Sequence, residues 1–364
     1  MKWDDLGHFG LRYHAAENGA SVRARLRAAG DDPGRAAVRT LDMAPELDTA
    51  RAMAGAGLDR LWVPRALGGA EAEPREVLAL IEELARGDGA AGFRLAAAVG
   101  HGRFAGLLPE GAAREIYGHP YNFAGGSLEA GGRARPVRGG YRVSGRWTRA
   151  AAVDGCAWLV GGCVVARAGA CELRVMLFPR ASATLLDGWR AGGLRGACAE
   201  FAVEDAFVPE EHGFPALAPR PTQPGPLYRL PTATAFAMAG AAVPLGIACA
   251  AIEALLELEG ARAAPALARA ESLVRAGRAM LLDAVDEWWR AAAPSAKHAA
   301  LVRVAAAHAA ASATQAVELL HAAARRDSRP LERCLADVRA ASQHLAAVAG
   351  SLVVAARAPL SAAA

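Results

Sequence analysis

Gly139-Gly140-Tyr141-Arg142-Val143-Ser144-Gly145-Arg146-Trp147-Thr148 is the stretch on which the reading of this chain turns. Tyr141 and Val143 alternate with Arg142 and Ser144, the two-residue period of a strand with one buried face. Gly139-Gly140 supplies turn chemistry ahead of it, and Gly145 marks a bulge or a close backbone approach. Two further apolar runs follow, Ala157 to Val165 and Leu173 to Phe178. Together they form a small β-domain, set between long stretches of helical character.

Composition narrows the function classes. A chain of 364 residues, 53% hydrophobic, can bury one large core or two to three smaller ones. The 41 basic and 37 acidic residues are interspersed and form no basic stripe with interleaved aromatics, so no nucleic-acid partner is expected. Six cysteines without paired or metal-type spacing read as reduced thiols, and Met1-Lys2-Trp3-Asp4-Asp5 does not open like a signal peptide. A cytoplasmic location is the expectation. Thr234 to Ile252 carries no charge and is long enough to span a bilayer, but its Ala, Gly and Pro244 suit a buried bundle helix better. No membrane association and no metal site are expected, because HExxH, P-loop and clustered metal-ligand patterns are missing.

Outward from the β-domain the chain divides into four parts. Residues 1–120 read as a helical domain. It contains loose helices before residue 40, a helix over Pro45 to Ala56, one opening at Pro74, one over Phe93 to Leu108 and a short one over Ala112 to Tyr117. Residues 121–212 are the β-domain and 213–228 a Pro-rich linker. Residues 229–364 read as four antiparallel helices, 231–259, 264–292, 296–323 and 330–356, separated at Gly260, Pro294-Ser295 and Ser328 with Pro330.

The signature strand through Trp147 resembles that of the acyl-CoA dehydrogenase superfamily, most closely its flavin-dependent, two-component monooxygenase branch. Leu58 to Gly69 resembles an N-terminal element of that family. Asp187-Gly188-Trp189, Gly193-Leu194-Arg195-Gly196 and Phe201 to Pro209 are similar to the rest of its β-domain. Arg229-Leu230-Pro231, Pro244 to Ala248 and Ala268 to Ser272 match bundle helices, so the likeness runs over about residues 45–356. It implies an acyl-CoA dehydrogenase-like fold: N-terminal helical domain, central β-barrel-like domain, C-terminal four-helix bundle. It also implies a monooxygenase that hydroxylates a small organic substrate through a C4a-hydroperoxyflavin. The cofactor would be FAD or FMN in reduced form, supplied by a partner flavin reductase, in a homo-oligomer (tetramer or dimer).

Arg333, Asp337 and His344 fall at about 0°, 40° and 20° on a helical wheel, all on one face. By spacing alone this is a solvated Arg–Asp pair with a histidine nearby. The resemblance makes His344 the catalytic candidate, a group whose pKa near neutrality allows either protonation state. It places Arg333 and Asp337 behind His344 or at a subunit contact; Ala336 stands where the family usually has a second Arg. For the flavin the resemblance points to Ser127, Trp147, Thr148, Arg149 and Arg195, with Trp147 alternatively a core residue. Ala151, Ala197 and Ala199 occupy positions where the family usually has hydroxyls. Two other readings stay open: a desaturase using a bundle carboxylate (Glu253, Glu257, Asp283, Asp286 or Glu287), and a flavin-binding scaffold without turnover.

Overall fold

The computed structural model of the chain describes residues 52–167, 170–186 and 192–361. The helices expected before residue 40, most of the one over Pro45 to Ala56, and Asp187-Gly188-Trp189 lie outside the described residues.

The helical layer begins with α1 (Pro74–Gly87), opened by Pro74 with Glu76 in the first turn, where a missing N–H and a negative charge both suit the helix start. Its buried face is Val77, Leu78, Ile81 and Leu84. Helix α2 (Gly89–Gly102) starts four residues earlier than the Ala-rich run suggested. Asp88 is the reason: its Oδ1 accepts from the N–H groups of Ala90 (2.8 Å) and Ala91 (3.1 Å). Helix α2 stops at Gly102, and Arg103–Gly106 continue as a tighter 3-10 turn. Buried Arg103 donates to the carbonyls of Leu227 (2.9 Å), Tyr228 (3.4 Å) and Leu230, which pins the end of the Pro-rich linker to this layer. Helix α3 (Glu110–Tyr117) completes it.

Seven strands follow: β1 (Ala124–Val137), β2 (Gly140–Ala151), β3 (Trp158–Arg167), β4 (Ala170–Pro179), β5 (Ala183–Leu186), β6 (Cys198–Pro209) and β7 (Gly213–Pro215). They form one mixed sheet in the order β5-β6-β2-β1-β3-β4-β7. Only β1 and β3 pair in parallel. The signature strand is β2, and Gly139 at φ 82° makes the tight turn from β1 into it. The ladder slips twice near one end of the sheet, between Ser127 and Gly132 of β1 and between Trp147 and Ala150 of β2. Such bulges bend a strand and re-aim its side chains.

The C-terminal bundle comprises α4 (Thr232–Glu259), α5 (Ala264–Arg290), α6 (Ala296–Ala323) and α7 (Arg329–Ser361). Helix α4 is long and apolar enough to cross a membrane, and 72% of its most apolar window is buried in the protein. It is the central helix, packed against α1, α2, α6 and α7, which explains an apolar composition all the way round. Arg278 of α5 clamps the Glu82 carboxylate of α1 with its Nε at 2.9 and 3.0 Å from the two oxygens. Trp288 donates to the Pro226 carbonyl at 3.1 Å, so of the Trp pair at 288–289 this ring serves packing. All six cysteines are free.

Candidate functional site

Helix α2, the bulged ends of β1 and β2, and helices α4 and α7 meet around a partly open cavity of about 40 Å³. Its walls are mainly alanine and aromatic: Ala96 and Ala97 from α2, Ala151 from β2, Ala233 and Ala237 from α4. Three polar side chains enter it, His101 of α2, Ser127 of β1 and His344 of α7. No carboxylate lines it among the described residues. Two larger clefts, about 490 and 360 Å³, open on the bundle surface near Pro330 and contain none of these three residues.

Both histidines are held by phenyl rings rather than by hydrogen bonds. The His344 ring meets Phe93 edge-on, centroids 4.7 Å apart at 85°. His101 lies 5.6 Å from Phe104 and 5.1 Å from Phe236. The Nδ1 atoms of both histidines are buried without a protein partner. Burial pushes the His344 imidazole down to about 4, helped by the Arg149 charge. Burial likewise pushes His101 down to about 3, with a further contribution from His344. Each ring is therefore neutral at pH 7 and presents one N–H donor and one acceptor nitrogen. Buried Ser127 accepts from the Glu129 N–H at 3.3 Å, which leaves its own O–H free to donate into the cavity.

The signature strand contributes differently from expectation at one position. The Trp147 ring is fully buried inside the β-domain, stacked on Phe201 at 4.8 Å, with its N–H donated to the Gly162 carbonyl at 2.9 Å. Gly161 makes the room, since a β-carbon there would sit 2.7 Å from the indole. Trp147 is thus a core residue, and its ring is not available to a flavin. Past it the bulge takes over: Arg149 adopts a left-handed φ of 51° and binds Glu129, whose other oxygen accepts from Thr148 Oγ1 at 2.9 Å. The Arg149 Nε is buried and unpartnered. Ala152, at φ 56°, is left-handed as well. Arg195 is exposed at the turn before β6.

Arg333 and Asp337 stand on α7 as the wheel placed them, Nε to Oδ2 3.6 Å, but outside the cavity. Asp337 accepts from the Leu194 N–H, and Arg333 reaches Asp88 at 2.7 Å. None of the five bundle carboxylates a desaturase could use lines the cavity, and two of them are paired elsewhere, Glu253 with Arg86 and Asp286 with Arg75. Sequence reasoning missed His101, Phe93 and Phe236. The α2 residues Phe93, Ala96, Ala97 and His101 do recur at helical spacing, a legible face, but nothing local says that this face borders a cavity.

Comparison with known proteins places the chain. No family model matches it. Indole-3-acetate monooxygenase of Pseudomonas putida is 30% identical over 315 residues, 79% of this chain and 80% of that protein. The oxygenase subunit HsaA of a flavin-dependent monooxygenase from Rhodococcus jostii is 29% identical over 232 residues, 61% of this chain and 60% of that protein. Among solved structures, XiaF from Streptomyces sp., in complex with FADH2 and glycerol, superposes with a TM-score of 0.77 at 22% identity, covering 93% of this chain and 96% of XiaF.

Proposed function

The chain belongs to the flavin-dependent monooxygenases of acyl-CoA dehydrogenase-like fold, and from that premise we propose that it hydroxylates a small aromatic substrate held in the cavity between His101, Ser127 and His344. The observation that carries this reading is the convergence of two neutral, hydrogen-bond-free imidazoles and one hydroxyl on an otherwise apolar enclosure. Apolar pockets with a few convergent polar groups are the usual form of small-molecule sites. Reduced flavin, when bound, supplies the electrons that activate oxygen for transfer.

The residues at the β2 end suit a flavin neighbour. Arg149, whose charge acts on His344, keeps one buried N–H without a partner, and Ala151, two residues further on, lines the cavity. Hydroxyl side chains are missing at Ala151, Ala197 and Ala199, so the main chain, Arg149 and Ser127 would carry the polar contacts. His344, neutral and facing the cavity, would hold or take the proton of a substrate hydroxyl, and His101 would orient that hydroxyl. The alanine and phenyl walls would keep water out. The reading includes a separate flavin reductase as partner, a homo-oligomer and a cytoplasmic location.

The test supplies FMN or FAD, a generic NADH-driven reductase and a panel of phenols and indoles, and compares oxygen consumed with hydroxylated product. Product formation by the wild type that collapses in His344→Ala supports the reading. Oxygen recovered entirely as hydrogen peroxide across the panel would make the chain a scaffold that kept the fold and lost turnover.

A further inference from the structure

Three polar side chains meet in the cavity, and their chemistry is one-sided. In both His101 and His344 the Nδ1 atom is sealed from solvent and has no partner. Nε2 is not sealed in either ring, and neither ring makes a hydrogen bond among the described residues. A neutral imidazole carries one N–H, and a buried lone pair without a partner is tolerated better than a buried N–H. That places the proton of each ring on Nε2, the nitrogen left open. Ser127 already accepts from the Glu129 N–H at 3.3 Å, so its O–H is a third donor. Every other lining residue is a glycine or carries a hydrocarbon side chain. Behind this wall the Arg149 charge acts on His344, and the Arg149 Nε–H is buried without a partner. Arg149 is also bound to Glu129, whose carboxylate does not line the cavity.

We propose that the cavity binds a small monovalent anion of one to three atoms, of the chloride or azide class, held by the Nε2–H groups of His101 and His344 and the Ser127 hydroxyl. The volume of about 40 Å³ suits about three water-sized atoms. A water there would find donors for its oxygen but, beyond Ser127, no side-chain acceptor for its own hydrogens. An anion has no hydrogens to satisfy and takes all three donors. Stripping it of water is costly, and hydrogen bonds to a charged acceptor, about twice as strong as neutral ones, offset that cost. The positive charge of Arg149 acts in the same direction. This inference rests on the reading of the cavity as the substrate site and deepens it. The same donors would meet the oxygen end of the substrate, so the anion is expected to compete with substrate.

The test titrates the full chain, in chloride-free buffer, with azide and follows the azide stretching band in the infrared. A saturable band distinct from free azide is expected, displaced by added chloride. Ser127→Ala, a small change that leaves the core filled, is expected to weaken azide binding by about tenfold. His101→Leu is expected to weaken it at least as much, and His101→Gln, which keeps an N–H, by less. Nitrogen NMR of the labelled chain is expected to show both rings in the Nε2–H form, their signals assigned by loss in His101→Gln and His344→Gln. No saturable band in the folded wild type overturns the proposal, as does a band unchanged in folded Ser127→Ala and His101→Leu, or an Nδ1–H form of either ring. If hydroxylated product still forms and still depends on His344, the substrate-site reading stands without the anion site. Azide that binds through His101 and Ser127 yet leaves product formation unaffected upholds the anion site and removes the substrate from it.

Discussion

Asp337 accepts the backbone N–H of Leu194 at 2.6 Å, a bond that joins the β-domain to the helix carrying His344. Leu194 is fully buried and held at a left-handed φ of 51°. The neighbouring Ala336 carbonyl packs so closely on Gly193 that no β-carbon fits there. This contact gives a physical reason for glycine at 193. Burial raises the Asp337 carboxyl above its ordinary value, opposed by the Leu194 N–H and then by Arg333.

Asp337→Ala removes the acceptor of a buried N–H and the support of a strained residue, so a loss of about 2–3 kcal/mol is expected in denaturant unfolding. Asp337→Asn keeps an acceptor oxygen and should lose less than half as much. Equal losses in both variants would show that the charge on Asp337, rather than the bond to Leu194, holds the junction.

Ala152 offers a test of the backbone at the end of the signature strand. Its φ of 56° strains any residue with a β-carbon, by about 1–2 kcal/mol. Ala150, equally buried, is not among the left-handed residues. Both alanine-to-glycine changes lose a buried methyl and raise the entropy of the unfolded chain. Only Ala152→Gly regains the strain, so it is expected to be at least about 1 kcal/mol more stable than Ala150→Gly. The opposite ranking in thermal melts would place the strain elsewhere.

The cavity histidines link stability to acid. His101 and His344 titrate at about 3 and about 4 in the folded chain, below the ordinary value of 6.5. The unfolded chain therefore binds more protons between pH 6.5 and about 4, and stability falls as pH drops through that window. His101→Gln is expected to melt with a visibly flatter dependence than wild type between pH 7 and 4.5. An identical slope would mean that His101 is not buried as a neutral ring.

Asp59 should behave in the opposite sense. Its carboxylate is buried with neither oxygen hydrogen-bonded, and burial lifts it to about 6, against the pull of Arg94. Stability from the neutral form is complete below the ordinary carboxylate range and is lost as pH rises through about 6. Asp59→Asn is expected to raise stability at pH 8, on the order of 1–3 kcal/mol, and to do little at pH 4. Destabilisation at pH 8 would reveal a dominant attraction to Arg94.

The layout was legible because its signals are local. Pro74, Gly139-Gly140, the Tyr141/Val143 alternation and the breaks at Gly260 and Pro294 each act on their own few residues. The four bundle helices accordingly fall within a few residues of expectation, at Thr232–Glu259, Ala264–Arg290, Ala296–Ala323 and Arg329–Ser361. His344 was readable from its helix and from resemblance. His101 was not, since an Ala-rich helix with one histidine looks the same whether that face meets solvent or a cavity. The core placement of Trp147 was one of two open readings, and what decides it, Gly161, Gly162 and Phe201, reaches it only through strand pairing.

Anaerobic titration of the purified chain with reduced FMN and reduced FAD tests the central claim most directly. Saturable binding of at least one of them is expected, with reoxidation on mixing with oxygenated buffer slower than for the free flavin and altered in His344→Ala. If neither reduced flavin binds, the β2 rim at Thr148, Arg149 and Ala151 is not a cofactor site, and the account of the cavity as a hydroxylation centre is contradicted.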